Sequence, residues 1–308
     1  MGVVASSVAE AAGVSRSATA RNLAAVDLVD ATHGWAVGER VILKTTNGGR
    51  KWTVVMRSPG VLLNGVDFVS RTTGWAVGRG DRRVGGGSRA AGLIMKTING
   101  WAVGPDDQLI RTTDGGRTWK GWTDATSRVS YYAVDASSPT AVWAGGYDSS
   151  GYYWGFSKLV RSVDGGRTYA ECPNSRFSAR AVTGLSTVRD AATGVTRIWA
   201  SCTFVGWVLA SPDGGESWQI QAAPNGISLN DIVVRKSLTG YAAGYEHAPP
   251  HRGVVLKTVD GRNWMDVGFR PPESLTGVYF VSDSRGWVVG KRGAIYRTTD
   301  GGATWQRQ

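Results

Sequence analysis

The sequence predicts an all-β chain, a seven-bladed β-propeller of four-stranded blades. Three observations predict it: an aromatic motif that recurs seven times, a glycine turn that follows it, and no helical periodicity past residue 27. The chain has 308 residues, with 43 glycines and 14 tryptophans. Gly34-Trp35-Ala36-Val37-Gly38 returns at Gly74-Trp75-Ala76-Val77-Gly78 and at Gly100-Trp101-Ala102-Val103-Gly104. Looser copies centre on Trp143, Trp199, Tyr241 and Trp287, so the gaps are 40, 26, 42, 56, 42 and 46 residues. Repeats of about 20–50 residues signal solenoids, propellers or arrays.

The second motif has the pattern [ST]-x-[DN]-G-G-x-[TSK]-[WY], here termed the box. It runs from Thr45 to Trp52, Thr112 to Trp119, Ser162 to Tyr169, Ser211 to Trp218 and Thr298 to Trp305. A copy one residue short spans Thr258 to Trp264, and Thr97-Ile98-Asn99-Gly100 runs straight into the next aromatic motif. Each repeat then reads as four strands. Segments such as Leu63 to Val69 and Leu275 to Val281 alternate apolar and polar residues and form the inner strand. The aromatic motif is the second strand, and Val41 to Thr45 or Ala294 to Thr298 is the third. The box makes the hairpin turn, because glycine supplies positive φ and Asp or Asn accepts from nearby backbone N–H groups. Its Trp or Tyr opens the fourth strand.

One place breaks the spacing. Asn99 stands only 2 residues before Trp101, where Asn47 stands 28 before Trp75. The outer strand of blade 2 and the inner strand of blade 3 are therefore missing. The insertion from Arg79 to Gly92 fills the gap, or blades 2 and 3 merge and leave six, or the sequence record is short there. Residues 27–308 form a single propeller domain. Residues 1–26 form an N-terminal tail, either a targeting remnant or the source of a closing strand at Val3-Val4-Ala5. Blade 7 ends three residues beyond Trp305, so its outer strand is stunted.

Composition narrows the function. A formal net charge of +11, with 42% hydrophobic and 19% charged residues, fits a folded basic protein rather than a disordered chain. Cys172 and Cys202 are too few for a disulfide scaffold, and there is no CxxC for zinc. They read as buried free thiols. No apolar run is long enough to span a membrane. In the tail, Ser6, Ser7, Ser15, Arg16, Ser17 and Arg21 face the single acid Glu10, a composition similar to an organelle transit sequence and unlike a bacterial secretion signal.

The box resembles the BNR/Asp-box repeat. Its pairing with Gly-Trp-Ala-Val-Gly resembles the photosystem II assembly and stability factors, over residues 21–308. That resemblance implies a seven-bladed, non-enzymatic lumenal protein that binds newly made reaction-centre polypeptide through a basic patch. It points to a thylakoid lumen or a bacterial periplasm. Sialidases, xyloglucanases and sortilin-type receptors also carry the box, so a carbohydrate-active propeller is the alternative.

The box residues Asn47, Asp114, Asp164, Asp213, Asp260 and Asp300 read as structural, since a turn carboxylate is used on backbone N–H groups. Calcium would need several acidic oxygens together, and each box offers one. The preceding cations Lys44, Lys96, Arg111, Arg161, Lys257 and Arg297 read as scaffold on an outer blade surface. The opposite face carries the second-to-third loops. There the candidate partner-binding residues are Arg40, Arg79, Arg82, Arg83, Arg89, Tyr152, Tyr153, Trp154, Arg252, Lys291 and Arg292. Arginine pairs bidentately with carboxylates and stacks on rings, and Tyr and Trp are common interface anchors. Trp154 lies in the loop richest in aromatics.

These residues point to a protein or peptide partner; the resemblance implies that it is a membrane protein or its precursor segment, bound by a monomer. No recognised nucleic-acid module is present. No catalytic residue, metal site or cofactor is assigned. Asp106, Asp107 and Glu246 are loop acids that a glycosidase pair could use, but their loops are short and no partner spacing is readable. His247 and His251 flank Ala248-Pro249-Pro250, which forbids the helix an HxxxH metal pair needs.

Overall fold

A computed structural model describes residues 21–68, 71, 74–80, 92–94, 100–103, 109–112, 120–122, 129–150, 155–178 and 181–308. Every paired strand is antiparallel to its neighbour. The second half of the chain is regular. β9 (Val129–Ala136), β10 (Val142–Asp148), β11 (Phe156–Ser162) and β12 (Ala170–Glu171) form blade 4 in chain order. Blade 5 is β13 (Val182–Arg189), β14 (Thr196–Cys202), β15 (Val208–Ser211) and β16 (Gln219–Ala222). Blade 6 is β17 (Ile227–Val234), β18 (Gly240–Glu246), β19 (Gly253–Thr258) and β20 (Met265–Asp266). Blade 7 is β21 (Leu275–Phe280), β22 (Gly286–Gly290), β23 (Ile295–Thr298) and β24 (Gln306–Arg307).

The first half uses longer strands. β1 (Leu23–Leu28) pairs with the opening of β2 (Gly34–Thr45). Arg40, at φ 62, divides that opening from Val41 to Lys44, which pairs with β3 (Thr53–Phe68). β3 then continues, and its Val61 to Phe68 half pairs with β4 (Gly74–Gly80), which pairs with β5 (Gly92–Ile94). This one sheet therefore holds all of blade 1 and three strands of blade 2. β6 (Gly100–Val103), β7 (Leu109–Thr112) and β8 (Lys120–Trp122) form blade 3. Among the described residues blade 2 has no outer strand and blade 3 no inner strand, where the short Asn99-to-Trp101 spacing left no residues for them.

The tail and closure also take shape. β1 opens at Leu23, four residues before residue 27, and Val3-Val4-Ala5 lies outside the described residues. Blade 7 meets blade 1 through packing. The Thr276 hydroxyl donates to the Leu23 carbonyl at 2.7 Å. Leu23, Val26, Leu28 and Trp52 share a core with Trp287, Val289 and Ile295. The two-residue outer strand of blade 7 is no exception, because β12 and β20 are equally short and all three are exposed. Outer strands have little to cover, so the sequence keeps them brief.

Apart from one cluster within blade 4, around Val129, Tyr131, Ala144 and Val160, each apolar cluster of the described residues belongs to two neighbouring blades. Trp143 and Leu159 of blade 4 pack with Val182, Ile198 and Leu209 of blade 5. Trp199 packs with Ile232, Val254 and Leu256 of blade 6, and Tyr241 with Leu275, Val278 and Phe280 of blade 7. A repeat that buries its apolar face only against the next one cannot stand alone. Cys172 and Cys202 are free thiols buried in the blade 4–5 cluster, where desolvation pushes Cys172 up to about 12.

Half-buried carboxylates tie inner strands together. One Asp135 carboxylate oxygen accepts from Thr187 N at 2.6 Å, and Asp231 accepts from Val278 N at 2.9 Å, each on the following blade. These backbone donors would otherwise be unpaired at a strand edge.

Candidate binding surface

The box turns are closed upon themselves. Asp164 accepts from Arg167 N at 2.9 Å, Thr168 N at 3.0 Å and the Thr168 hydroxyl at 2.7 Å. Asp300 accepts from Thr304 N at 2.9 Å and the Thr298 hydroxyl at 2.8 Å, and Asp260 from Arg262 N and Asn263 N, both at 2.8 Å. Asp213 takes Ser217 N at 2.9 Å, and Asn47 takes Lys51 N at 2.9 Å. The Thr168 N–H and hydroxyl, with the Ser162 hydroxyl, hold Asp164 well below the usual carboxylate range. Asp114 lies outside the described residues. These turns share an end with the first-to-second loops: Gly48 N donates to Thr32 O, Gly165 N to Thr140 O and Gly301 N to Ser284 O.

The two sequence motifs meet across blades. Trp143 Nε1 donates to Gly214 O at 3.2 Å, Trp199 Nε1 to Gly261 O at 2.8 Å and the Tyr241 hydroxyl to Gly301 O at 3.0 Å. In each case the aromatic of one blade reaches the box glycines of the next. Two of the cations before the box, Arg161 and Lys257, do the same, which corrects the outer-surface reading for these two. Arg161 lies beside Trp143 in register, donates to Gly214 O at 3.2 Å and pairs with Glu216 at 2.5 Å. Lys257 lies beside Tyr241, donates to Gly301 O at 2.7 Å and sits 5.6 Å above the Tyr241 ring.

The opposite face is built differently. Four second-to-third loops carry a non-glycine residue in the left-handed region: Arg40 (φ 62), Phe204 (φ 67), His251 (φ 61) and Arg292 (φ 54). Among the described residues Asn174 and Leu238 are the only other non-glycine residues in that conformation. Strain of this kind costs about 1–2 kcal/mol per residue and concentrates at functional sites.

Those loops connect into an arc from blade 5 to blade 1. Phe204 N donates to the Ser228 hydroxyl at 2.9 Å, which meets His247 Nε2 at 2.9 Å. The Phe204 ring itself is 63% exposed. Tyr245 lies 6.2 Å from both His247 and His251, and Lys291 Nζ stands 5.9 Å over the Tyr245 ring. Arg292 N donates to Asn22 Oδ1 at 3.1 Å, and Asn22 Nδ2 donates to Glu39 at 3.4 Å. Arg292 Nη2 also donates to Pro272 O at 3.0 Å, so its backbone and guanidinium are both anchored. Lys291, Arg292, His251 and Arg252 are exposed, and Arg40 is half-buried.

The sequence-predicted residues thus divide. Lys291 and Arg292 join Tyr245 and the histidines in one arc, with Arg40 beside Glu39 at its end. Arg252 is exposed in the same blade 6 loop. Arg82, Arg83, Arg89, Tyr152, Tyr153 and Trp154 lie outside the described residues, as do Asp106 and Asp107; Arg79 is placed in β4 by its backbone. In blade 4 the neighbouring charge is neutralised, because Asp148 accepts from Arg176 at 2.9 Å and Arg176 covers the Phe156 ring. Phe204 is the residue that sequence reasoning missed. Thr203-Phe204-Val205-Gly206 matches no repeated motif, and its one signal is an aromatic in a short loop ending at glycine.

Glu246 is engaged by Arg270 Nε at 2.6 Å, and Arg270 also holds Asp266. Among the described residues no group of three or more His, Cys, Asp or Glu could hold a metal, and no helix is long and apolar enough to cross a membrane.

No protein-family model and no curated protein matches the chain. Solved structures do. A gluconolactonase from Xanthomonas campestris is similar at TM-score 0.58 and 11% identity, over 91% of this chain and 86% of that one. A GH74 xyloglucanase from the same organism is similar at TM-score 0.57 and 12% identity, over 93% of this chain and 53% of that one. YCF48 bound to D1 peptide gives TM-score 0.47 and 16% identity, over 94% of this chain and 81% of that one. The first two likenesses establish the architecture and no activity. The chain is a β-propeller, and its motif pairing is similar to that of the photosystem II assembly and stability factors.

Proposed function

We propose that this propeller is a non-catalytic scaffold that holds a segment of a membrane protein, or of its precursor, on the second-to-third loop face. The observation that carries this reading is the continuous arc of Phe204, Tyr245, Lys291 and Arg292 on left-handed, hydrogen-bonded loops. An exposed aromatic beside fixed cations suits an acidic, partly apolar peptide. The pairing of Gly-Trp-Ala-Val-Gly with the box extends the reading to photosystem II assembly, in a thylakoid lumen or a bacterial periplasm.

The glycosidase alternative has less to stand on. Such an enzyme needs one carboxylic acid with a raised pKa beside a second carboxylate. Glu246 is already held in an ion pair with Arg270 Nε at 2.6 Å.

Capture from detergent-solubilised membranes tests the proposal. The wild-type chain is expected to retain an integral membrane protein, and a Lys291→Glu, Arg292→Glu double variant to lose it. Equal recovery by both would remove this face from the account. Turnover of a glycoside by the pure chain would replace the proposal with the carbohydrate reading.

A further inference from the structure

We propose that an oxyanion, phosphate or carboxylate, binds between Arg50, Arg285 and Arg297 and completes the contact of blade 7 with blade 1. The argument comes from comparing equivalent junctions around the fold. At the blade 4–5 junction every polar group finds a partner. Trp143 Nε1 and Arg161 Nη1 donate to Gly214 O, Trp218 Nε1 donates to Gly215 O, and Arg161 pairs with Glu216. At the blade 6–7 junction Tyr241 and Lys257 both donate to Gly301 O.

The blade 7–1 junction repeats the geometry without the partners. Trp287 and Arg297 lie opposite each other in register, as Trp143 and Arg161 do. Trp287 packs so tightly on the box of blade 1 that a Cβ at Gly49 would lie 2.1 Å from its Nε1. Yet Trp287 Nε1 and Arg297 Nε are buried without an acceptor, while the box tryptophan Trp52 shares that state with its counterpart Trp305 at the blade 6–7 junction. Trp52 and Trp287 are 1% and 0% exposed, so water does not reach them freely. Buried donors left unpaired are costly and mark sites where a ligand or ion belongs.

The missing acceptor can be named. The residue after the two box glycines is Glu216 in blade 5, where it receives Arg161. In blade 1 the same position is Arg50, so Arg297 faces a cation instead of a carboxylate. Burial, Arg285 and Arg50 together press the Arg297 guanidinium below its usual range. Arg50 and Arg285 both act electrostatically on Arg297, and arginines gathered without a carboxylate favour an oxyanion with several acceptor oxygens. Nearby carboxylates are engaged elsewhere: Asp30 with Arg71 at 2.8 Å, Asp283 with Arg235 at 2.9 Å, and Asp300 within its own turn. A cavity of about 450 Å³, lined by Leu28, Tyr279, Val281, Arg235, Arg285 and the Arg71-paired Asp30, adjoins Arg285 and leaves room for the body of an organic anion. This site lies on the box face, apart from the proposed partner surface.

Thermal unfolding of the full chain tests the proposal, with inorganic phosphate titrated against chloride at fixed pH and ionic strength, and acetate as a second arm. A ligand that binds only the folded state raises the midpoint with the logarithm of its concentration. Phosphate, acetate or both are expected to do so beyond chloride, and the stronger arm identifies the anion class. Arg50→Glu supplies the carboxylate that blade 5 already has. It is expected to raise the midpoint in chloride and weaken the anion response at least about tenfold. Arg285→Gln, on a loop, is expected to weaken the response while leaving the chloride midpoint in place. Phosphate and acetate acting no more strongly than chloride would overturn the proposal. So would an undiminished response in both variants.

Discussion

Trp199 Nε1 donates to the carbonyl of Gly261 at 2.8 Å, and a Cβ on that glycine would lie 2.9 Å from the same indole. One contact explains two sequence motifs. The aromatic needs a carbonyl at the next blade, and the carbonyl is within reach only because the turn residue has no side chain. The recurring tryptophans and the recurring glycines are therefore halves of one interblade joint.

This joint predicts a contrast between two glycines of similar backbone conformation. Gly214 sits at φ +79 with nothing within 4 Å of an added Cβ, so Gly214→Ala should cost about 1–2 kcal/mol from backbone strain alone. Gly49 sits at φ +77 with the buried Trp287 Nε1 only 2.1 Å from that Cβ. Gly49→Ala adds overpacking and should cost about 3–4 kcal/mol in all. Urea unfolding of the two variants checks the ranking, and equal losses would contradict it.

Asp231 predicts a pH dependence of stability. Desolvation of the half-buried Asp231 pushes its carboxyl up to about 7, against the pull of the Val278 and Ile232 N–H groups. A folded pKa raised above the unfolded one means that the native state binds the extra proton. Its contribution is fully present below about pH 4, and is lost as pH rises through about 7. Asp231→Asn keeps an acceptor for Val278 N and should flatten that part of the curve. Chemical denaturation from pH 4 to 8 compares the two; an unchanged slope in the variant would assign the dependence elsewhere.

Phe204 predicts a loss of binding without a loss of stability. Its backbone is held by Ser228 while its ring is mostly exposed, so Phe204→Ser removes contact area and little packing. Partner affinity should fall by about tenfold or more, as for an aromatic anchor at an interface. Stability should stay within about 0.5 kcal/mol, as for surface substitutions. Titration and melting on the same preparation separate the two effects.

Glu273 predicts a stability effect at the end of the chain. It is buried, accepts from the Tyr296 hydroxyl at 2.8 Å and pairs with Arg307 at 2.8 Å. Arg307→Ala leaves the carboxylate with a single neutral donor and should cost about 1.5–3 kcal/mol. A second change, Glu273→Gln, should restore part of that loss, which denaturation of the double variant measures.

How far these features could be read in the chain differs with their physics. Trp35, Trp143, Trp199 and Trp287 announce themselves, because a blade must bury its second strand at every repeat and packing then becomes periodicity. The short spacing from Asn99 to Trp101 likewise agrees with the absence, among the described residues, of an outer strand in blade 2 and an inner strand in blade 3. What the aromatics bond to was not legible, since Trp143 and Gly214 are 71 residues apart and meet only through the curvature of the fold. Arg161 and Lys257 were placed on the outer surface for the same reason. Phe204 escaped notice because its loop has no repeated motif, and its exposure depends on a left-handed backbone that no local residue type demands.

Hydrogen-exchange footprinting of the propeller, free and with its captured membrane partner, tests the binding-face proposal most directly. The account predicts slowed exchange in the loops 203–206, 245–252 and 291–293, with the box turns at Asn47, Asp213 and Asp300 unchanged. Protection confined to the box turns, or spread evenly over both faces, would contradict it.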